Sequence, residues 1–350
     1  MHRPSKWGKK LWISVLLVFC IGLLAGGAPT TAAASDQITW NISLWGGERD
    51  WTRPLHQWAD DMKNKTNGKW IIKLHYGAVL SPSKENIDGI KAGLFEGCQI
   101  CGSYAPGKTP LNRVFELPFI LPQEPEQISQ MMAALWEHPA VLKELARWNA
   151  VPLFPAAITQ YGLMGNKRIV KAEDFDGIRI RIPGEMARVL TQFGAVPVML
   201  PVADLYEAMD RGTVDMGTLP WPFSFGAFKI HEVSKYVTTN FSPGSNSCAF
   251  LANKDAWEAL PEEYKALHRE WYRKAPKIWG EEYKKGEKKW IPIYKEKLEF
   301  VRMPDSERAK LLSKAEGVHK EWVKAMEKRG LPGQDVYDYF LAKRKEICGY

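Results

Sequence analysis

Between positions 175 and 222 the chain reads FDGIRIRIPGEMARVLTQFGAVPVMLPVADLYEAMDRGTVDMGTLPWP, and its residues best equipped for chemistry are Arg179 and Arg181. Alternate side chains of an extended strand share a face, so Ile178, Ile180 and Ile182 point one way and the two arginines the other. Pro183 cannot donate to a ladder and Gly184 permits a turn, which leaves Arg181 at the strand's carboxyl end. A guanidinium stays charged at physiological pH and matches a carboxylate with paired N–H donors. The pattern therefore predicts capture of a small anion, with Arg181 favoured over the more distant Arg179. The competing reading is two solvated arginines on an edge strand. Near other strand ends, Trp45, Tyr104, Tyr161 and Trp221 could supply apolar pocket walls, or could belong to the core.

Catalytic apparatus is hard to find. No GxSxG, HExxH, Walker A or strand-following GxGxxG occurs, and the histidines are scattered without ligand spacing. No cofactor or metal is expected. The CxxC of Cys98 and Cys101 invites a redox reading, but it lies in a predicted strand, where residues three apart face opposite sides and bridge poorly. Beyond the leader stand Cys98, Cys101, Cys248 and Cys348. One disulfide could form among them in an oxidising compartment, its partners left open.

The elements that must position Arg181 follow from periodicity. A helix is predicted over 185–193, a strand in VPVML, a helix over 203–211 closed by Gly212, and a strand in TVDMG. Upstream, ITWNISLWGG, WIIKLHYG and GCQICGSYA read as strands separated by helices over 51–66 and 83–92. Each β-α-β-α-β run predicts a parallel sheet, and such sheets bind ligands beyond the carboxyl ends of their strands. Helix is predicted over 125–149, strands in KYVTTNFSP and CAFLANK, and helix for most of the chain after Asp255. There Trp257, Trp271, Trp290 and Trp322 read as packing residues.

Composition bounds the setting. Residues 1–34 combine Arg3, Lys6, Lys9 and Lys10 with an apolar run and an Ala-Ala-Ala ending, the pattern of a cleaved secretory signal peptide. Loss of those four cations lowers the formal net charge from +8 to +4, too little to suggest nucleic acid as a partner. No later stretch reaches the roughly 20 apolar residues of a spanning helix, so the mature chain is not expected to be membrane-embedded. The expected class is α/β in two lobes: 35–152 with 245–290 returning to it, 153–244, and helices over 291–350 packing on both.

Several stretches resemble the periplasmic solute-binding proteins of tripartite ATP-independent periplasmic (TRAP) transporters, the DctP-type family. They are YGAVLSPSKENIDGIKAGLFEG, FELPFIL, DFDGIRIRIPG with FGAVPVMLPVADLYEAMDRGTVDMG, and FLANKDAWEALPEE. The resemblance implies a type II-like periplasmic binding fold with hinge strands, a ligand enclosed between the lobes and a long helix spanning both. It places the family's carboxylate-binding arginine on Arg181. A second arginine, found about twenty residues upstream in sialic-acid and several dicarboxylate binders, is replaced here by Gln160-Tyr161. A metal-holding Glu-Trp pair of the oxo-acid binders is replaced by Thr218-Leu219. A second fixed cation is thus expected to be missing, which favours a monocarboxylate over a C4-dicarboxylate. Gln160 or Tyr161 would hydrogen-bond the acid, and Trp45, Tyr104, Trp221 and Asn246 would line the cleft. The implied role is periplasmic capture of a small organic acid for TRAP membrane subunits. The alternatives are an exported enzyme, a thiol-active protein or a ligand sensor for a signalling receptor.

Overall fold

Alternating apolar strands and amphipathic helices build two mixed sheets in the computed structural model, which describes residues 37–350. The expected leader lies outside the described residues. The first strands are β1 (Ile38–Ser43), β2 (Trp70–His75), β3 (Gly97–Cys101), β4 (Ala150–Phe154) and β5 (Tyr161–Gly165). Then come β6 (Arg179–Arg181), β7 (Val196–Pro197), β8 (Met216–Pro220), β9 (Tyr236–Thr238), β10 (Cys248–Asn253) and β11 (Glu299–Val301). One sheet has the order β2-β1-β3-β10-β4 and the other β11-β9-β5-β8-β6-β7. The expected parallel sheets are correct only in part. Strands β1, β2 and β3 run parallel, as do β6, β7 and β8. The chain crosses between sheets, however, so β10 returns antiparallel between β3 and β4, and β5 enters antiparallel beside β8.

Helices cover the sheets: α1 (Pro54–Lys65), α2 (Asn86–Lys91), α3 (Pro125–Leu135), α4 (Pro139–Ala146), α5 (Ala187–Thr191), α6 (Leu205–Asp210), α7 (Phe223–Ala227) and α8 (Lys254–Glu258). Three longer helices end the chain, α9 (Glu262–Lys297), α10 (Asp305–Lys328) and α11 (Gly333–Cys348). Around Arg181 three boundaries differ from expectation. The predicted VPVML strand shrinks to β7, a sheet edge flanked by Pro197 and Pro201, with Met199 56% exposed. Predicted TVDMG starts late, because the Thr213 and Val214 amides donate to Ala208 O and finish the end of α6. The helix expected from 185 opens as a 3-10 turn over Gly184–Met186. Within the expected helical tail, Glu299–Val301 instead adds β11 to the second sheet.

At 1.5 Å per residue the 36 residues of α9 extend roughly 54 Å, long enough to reach both sheets. Near its start His268 Nε2 contacts Leu153 O at 2.9 Å. Further along, Trp279 Nε1 donates to Trp51 O at 2.8 Å and the Tyr283 hydroxyl to Ala157 O at 3.0 Å. Near its end the Tyr294 hydroxyl donates to Pro222 O at 2.8 Å. The chain also crosses between the sheets after β4 and before β10. The two crossings are tied where Tyr161 N donates to Gly244 O at 2.8 Å and Ser245 Oγ to Ile158 O at 2.9 Å.

His268 is fully enclosed by Trp58, Phe154 and Trp257, and burial lowers its pKa to about 4. The native state thus resists a proton that the unfolded chain accepts near 6.5. This stability is fully present above about pH 6.5 and is lost as pH falls toward 4, about 3 kcal/mol in all. Urea denaturation across that range should show the decline. His268→Gln, which keeps a donor toward Leu153 O, should flatten it; an unchanged slope would assign the decline to other groups.

Candidate functional site

The carboxyl ends of β1, β3, β6 and β8 converge on one cavity of about 20 Å3. A ring-bearing acid therefore fits only once the walls part. Because β5 and β10 run antiparallel to their neighbours, their first residues, Tyr161 and Cys248, reach the same place.

Arg181 ends β6 with 2% of its surface exposed. A buried cation is costly unless its hydrogens are met. Here Nη1 donates to Thr218 O at 3.0 Å and Nε to Leu200 O at 3.3 Å, while Nη2 reaches the Tyr104 hydroxyl at 3.4 Å. Thr218 also donates its own hydroxyl to Arg181 O at 3.1 Å. These contacts engage three of five guanidinium N–H groups. Among the described residues no carboxylate lies within ion-pair reach of Arg181. Arg179 differs entirely: it is exposed and forms a two-point pair with Asp215, at 2.9 and 2.8 Å, in front of β8. That is the solvated reading of this residue.

The sequence reading missed Arg49, a second guanidinium in the cavity wall. It sits in the β1–α1 loop, 4% exposed, with its charge 4.9 Å from the Trp45 ring centre, 5.5 Å from Trp51 and 5.7 Å from Phe228. Nη1 donates to Gly47 O at 2.7 Å and Trp45 O at 3.2 Å, whereas buried Nη2 has no partner. Burial lowers its pKa to about 10, an effect opposed by Tyr104, Tyr76 and Tyr283, so it remains a cation at neutral pH. Gly46, at φ +71°, makes the turn that directs this loop inward. The signal was present as WGGERDW, an arginine between two tryptophans beyond a strand end. The expectation that a second fixed cation is missing is therefore corrected: the upstream position is indeed Gln160-Tyr161, but β1 supplies the cation instead.

Residues 45–325 match the family described as bacterial extracellular solute-binding protein, family 7. The chain belongs to this family. A monocarboxylate 2-oxoacid-binding periplasmic protein of Nostoc sp. is 29% identical over 60% of this solute-binding protein and 58% of its own length. The C4-dicarboxylate-binding periplasmic protein DctP of Rhodobacter capsulatus is 24% identical over 57% and 59%. The chain thus spans somewhat under two thirds of these two relatives. In fold it resembles a marine metagenome TRAP solute-binding protein specific for aromatic acid ligands, solved with metahydroxyphenylacetate (TM-score 0.79, 20% identity, 89% of this chain and 100% of that one). It also resembles a TRAP solute-binding protein of Rhodoferax ferrireducens with copurified benzoate (TM-score 0.76, 19% identity, 89% and 99%). The two-lobed TRAP solute-binding fold expected from the sequence is the fold observed.

Of the seven site residues expected in this solute-binding protein, Arg181, Trp45, Tyr104 and Tyr161 line the cavity. Gln160, Trp221 and Asn246 do not. Gln160, just before β5, faces the other way, donating Nε2 to Leu121 O and Pro122 O at 3.2 and 2.9 Å to fix the 117–122 loop. Trp221 packs on Phe225, Tyr294 and Phe300. Asn246 Nδ2 donates to Ser103 Oγ behind the wall. Leu219 does reach the cavity, while Thr218 holds Arg181. Among the described residues no cluster of three His, Cys, Asp or Glu side chains could hold a metal.

Cys101 and Cys248 also line the cavity and are disulfide-bonded, pairing the end of β3 with the start of β10. Cys98, three residues earlier, is a buried free thiol whose pKa burial pushes well up. The bridge closes a loop with a sequence separation of 147. A Cys101→Ala, Cys248→Ala double variant should therefore lose about 2–5 kcal/mol of stability in urea titration; an unshifted midpoint would count against the bond.

Tyr104 follows β3 of the first sheet, yet its hydroxyl contacts Arg181 and the Val202 amide (3.3 Å) on the side of the second. It therefore bridges the cleft. Removing that oxygen in Tyr104→Phe should weaken solute binding about three- to tenfold by calorimetry with little change in Tm. An affinity equal to wild type would show the bridge to be incidental.

Proposed function

We propose that this solute-binding protein is exported to the periplasm by its cleaved leader and captures a small organic acid. It would deliver the acid unchanged to the membrane subunits of a TRAP transporter. The observation that carries this reading is Arg181: a buried guanidinium with unused N–H donors on a cavity wall, held by backbone carbonyls rather than by a carboxylate. Such a group orients an incoming carboxylate. Trp45 and Tyr104 would cover its apolar body, with Tyr161 as a further hydrogen-bonding group. Three of the similar proteins are named for acids with one carboxylate on a small body, a 2-oxoacid, benzoate and metahydroxyphenylacetate, and one for C4-dicarboxylates, a balance that favours a monocarboxylate. The moving bodies on closure would be the two sheets with their helices, 35–152 plus 245–290 against 153–244.

Binding without catalysis is favoured because the cavity wall, among the described residues, presents no histidine, carboxylate or free thiol. Among the described residues no helix is long and apolar enough to cross a membrane. The test is calorimetry of ligand-stripped protein against small carboxylic acids. Arg181→Ala should lose at least about thirtyfold in affinity, and Arg181→Lys, which keeps charge without the fork, should recover only part. Circular dichroism checks that both are folded. Unchanged affinity in a folded Arg181→Ala protein would sink the assignment.

A further inference from the structure

We infer that Arg49 is a second ligand-binding group in the same cavity, and that the captured acid carries a second oxygen acceptor away from its carboxylate, a hydroxyl, oxo or carboxyl oxygen. This rests on the reading of Arg181 as the carboxylate anchor. Arg49 and Arg181 both line the cavity, yet they arrive from different elements, the loop after β1 and the end of β6. They are prepared differently as well. Arg181 is fixed by two backbone carbonyls and a phenol and retains N–H groups on both terminal nitrogens. Arg49 has Nη1 occupied by two carbonyls and three aromatic rings about its charge, leaving Nη2 bare.

A buried donor without a partner is unfavourable, and its cost is recovered when an acceptor meets it. The neighbouring Asp50 does not serve: its Oδ1 pairs with Arg53 at 3.0 Å, its buried Oδ2 lies against Gly286 of α9 without pairing with Arg49, and it is not part of the cavity wall. No other carboxylate in the wall could answer the charge. What remains is water, which a ligand filling the cavity would displace, or an oxygen brought by the ligand itself. A plain hydrocarbon acid would satisfy Arg181 and leave Arg49 desolvated and unpaired. A site with a buried polar group rejects analogues that lack its partner more strongly than it rejects differences in apolar size. Arg49 would then set specificity while Arg181 supplies the anchor common to all acids.

The experiment uses ligand-stripped wild type, Arg49→Met, Arg49→Lys and Arg181→Ala. Calorimetry compares small aliphatic and aromatic acids with their hydroxyl-, oxo- and carboxyl-bearing derivatives, for example benzoate with 3-hydroxybenzoate and 4-hydroxybenzoate, and butanoate with 4-hydroxybutanoate and succinate. In wild type at least one derivative should bind about tenfold or more tighter than its parent. That ratio should collapse to within about twofold in Arg49→Met and be partly retained in Arg49→Lys. If Arg49→Met does not fold, the wild-type ratio and its reduction in Arg49→Lys decide. Equal affinity for parents and derivatives in wild type, with binding still abolished in Arg181→Ala, overturns the role of Arg49 and leaves the acid-binding reading standing. A ratio that survives in folded Arg49→Met also overturns it. If no acid binds wild type, both readings fall together.

Discussion

The rest of the structure is organised around housing a buried guanidinium on a cavity wall without a carboxylate partner. An unpaired ion in an apolar interior is so unfavourable that the surroundings must either neutralise it or supply dipoles. Around Arg181 they supply dipoles. The Leu200 carbonyl comes from the loop after β7 and the Thr218 carbonyl from within β8, on either side of β6, and the Tyr104 hydroxyl comes from beyond β3. An acidic partner would satisfy the charge permanently and leave nothing for a ligand. Arg179 illustrates that alternative two residues away: Asp215 engages it at two points, so it is a surface staple.

Backbone dipoles can do this work only if strand ends from separate sheets are held at fixed positions. Part of that task falls to α9, whose side chains donate to carbonyls beside β4, in the β1–α1 loop and before α7. A further anchor is ionic. Arg53 pairs with Asp50 and with Glu282 of α9, and Lys285 supports Glu282 at 3.0 Å. This network lies next to Arg49 in sequence, so the helix that runs along both sheets also fixes the loop that presents the second cation.

Much of this architecture was legible in local pattern. The alternation of Ile178 to Ile182 placed Arg179 and Arg181 on one face, and Pro183-Gly184 marked the strand end, because both effects act within a few residues. The argument against a Cys98–Cys101 bridge rested on strand geometry and agrees with Cys101 pairing across the ladder to Cys248. What stayed hidden depended on chain returns. Insertion of β10 beside β3, which chose the disulfide partner, is a contact across 147 positions with no local signature. Gln160, Trp221 and Asn246 lie just outside β5, β8 and β10, where strand alternation no longer sets direction, and each turns to packing or hydrogen-bond partners away from the cavity wall. Arg49 was overlooked because a lone arginine in a glycine-rich loop usually reads as solvated; only the rings of Trp45, Trp51 and Phe228 make it a buried one.

In the proposed function, two cations on one cavity wall would also give closure its thermodynamic sense. When the lobes approach, water leaves, and the attraction between Arg181 and any anion strengthens as the effective dielectric falls. The same approach without an anion concentrates positive charge among Trp45, Phe228 and the Cys101–Cys248 bridge, none of which can neutralise it. A bound acid would then favour a closed arrangement, widened enough to hold it, over the open one, and such a difference in affinity is what shifts a two-state population. Tyr104 adds direction to the shift. Its hydroxyl meets Arg181 and the Val202 amide from the other sheet, so in the proposed closure the contact that helps position the anchor would also be one that holds the two sides together. On that reading, recognition of a carboxylate and the geometry a membrane partner would sense are consequences of the same few atoms.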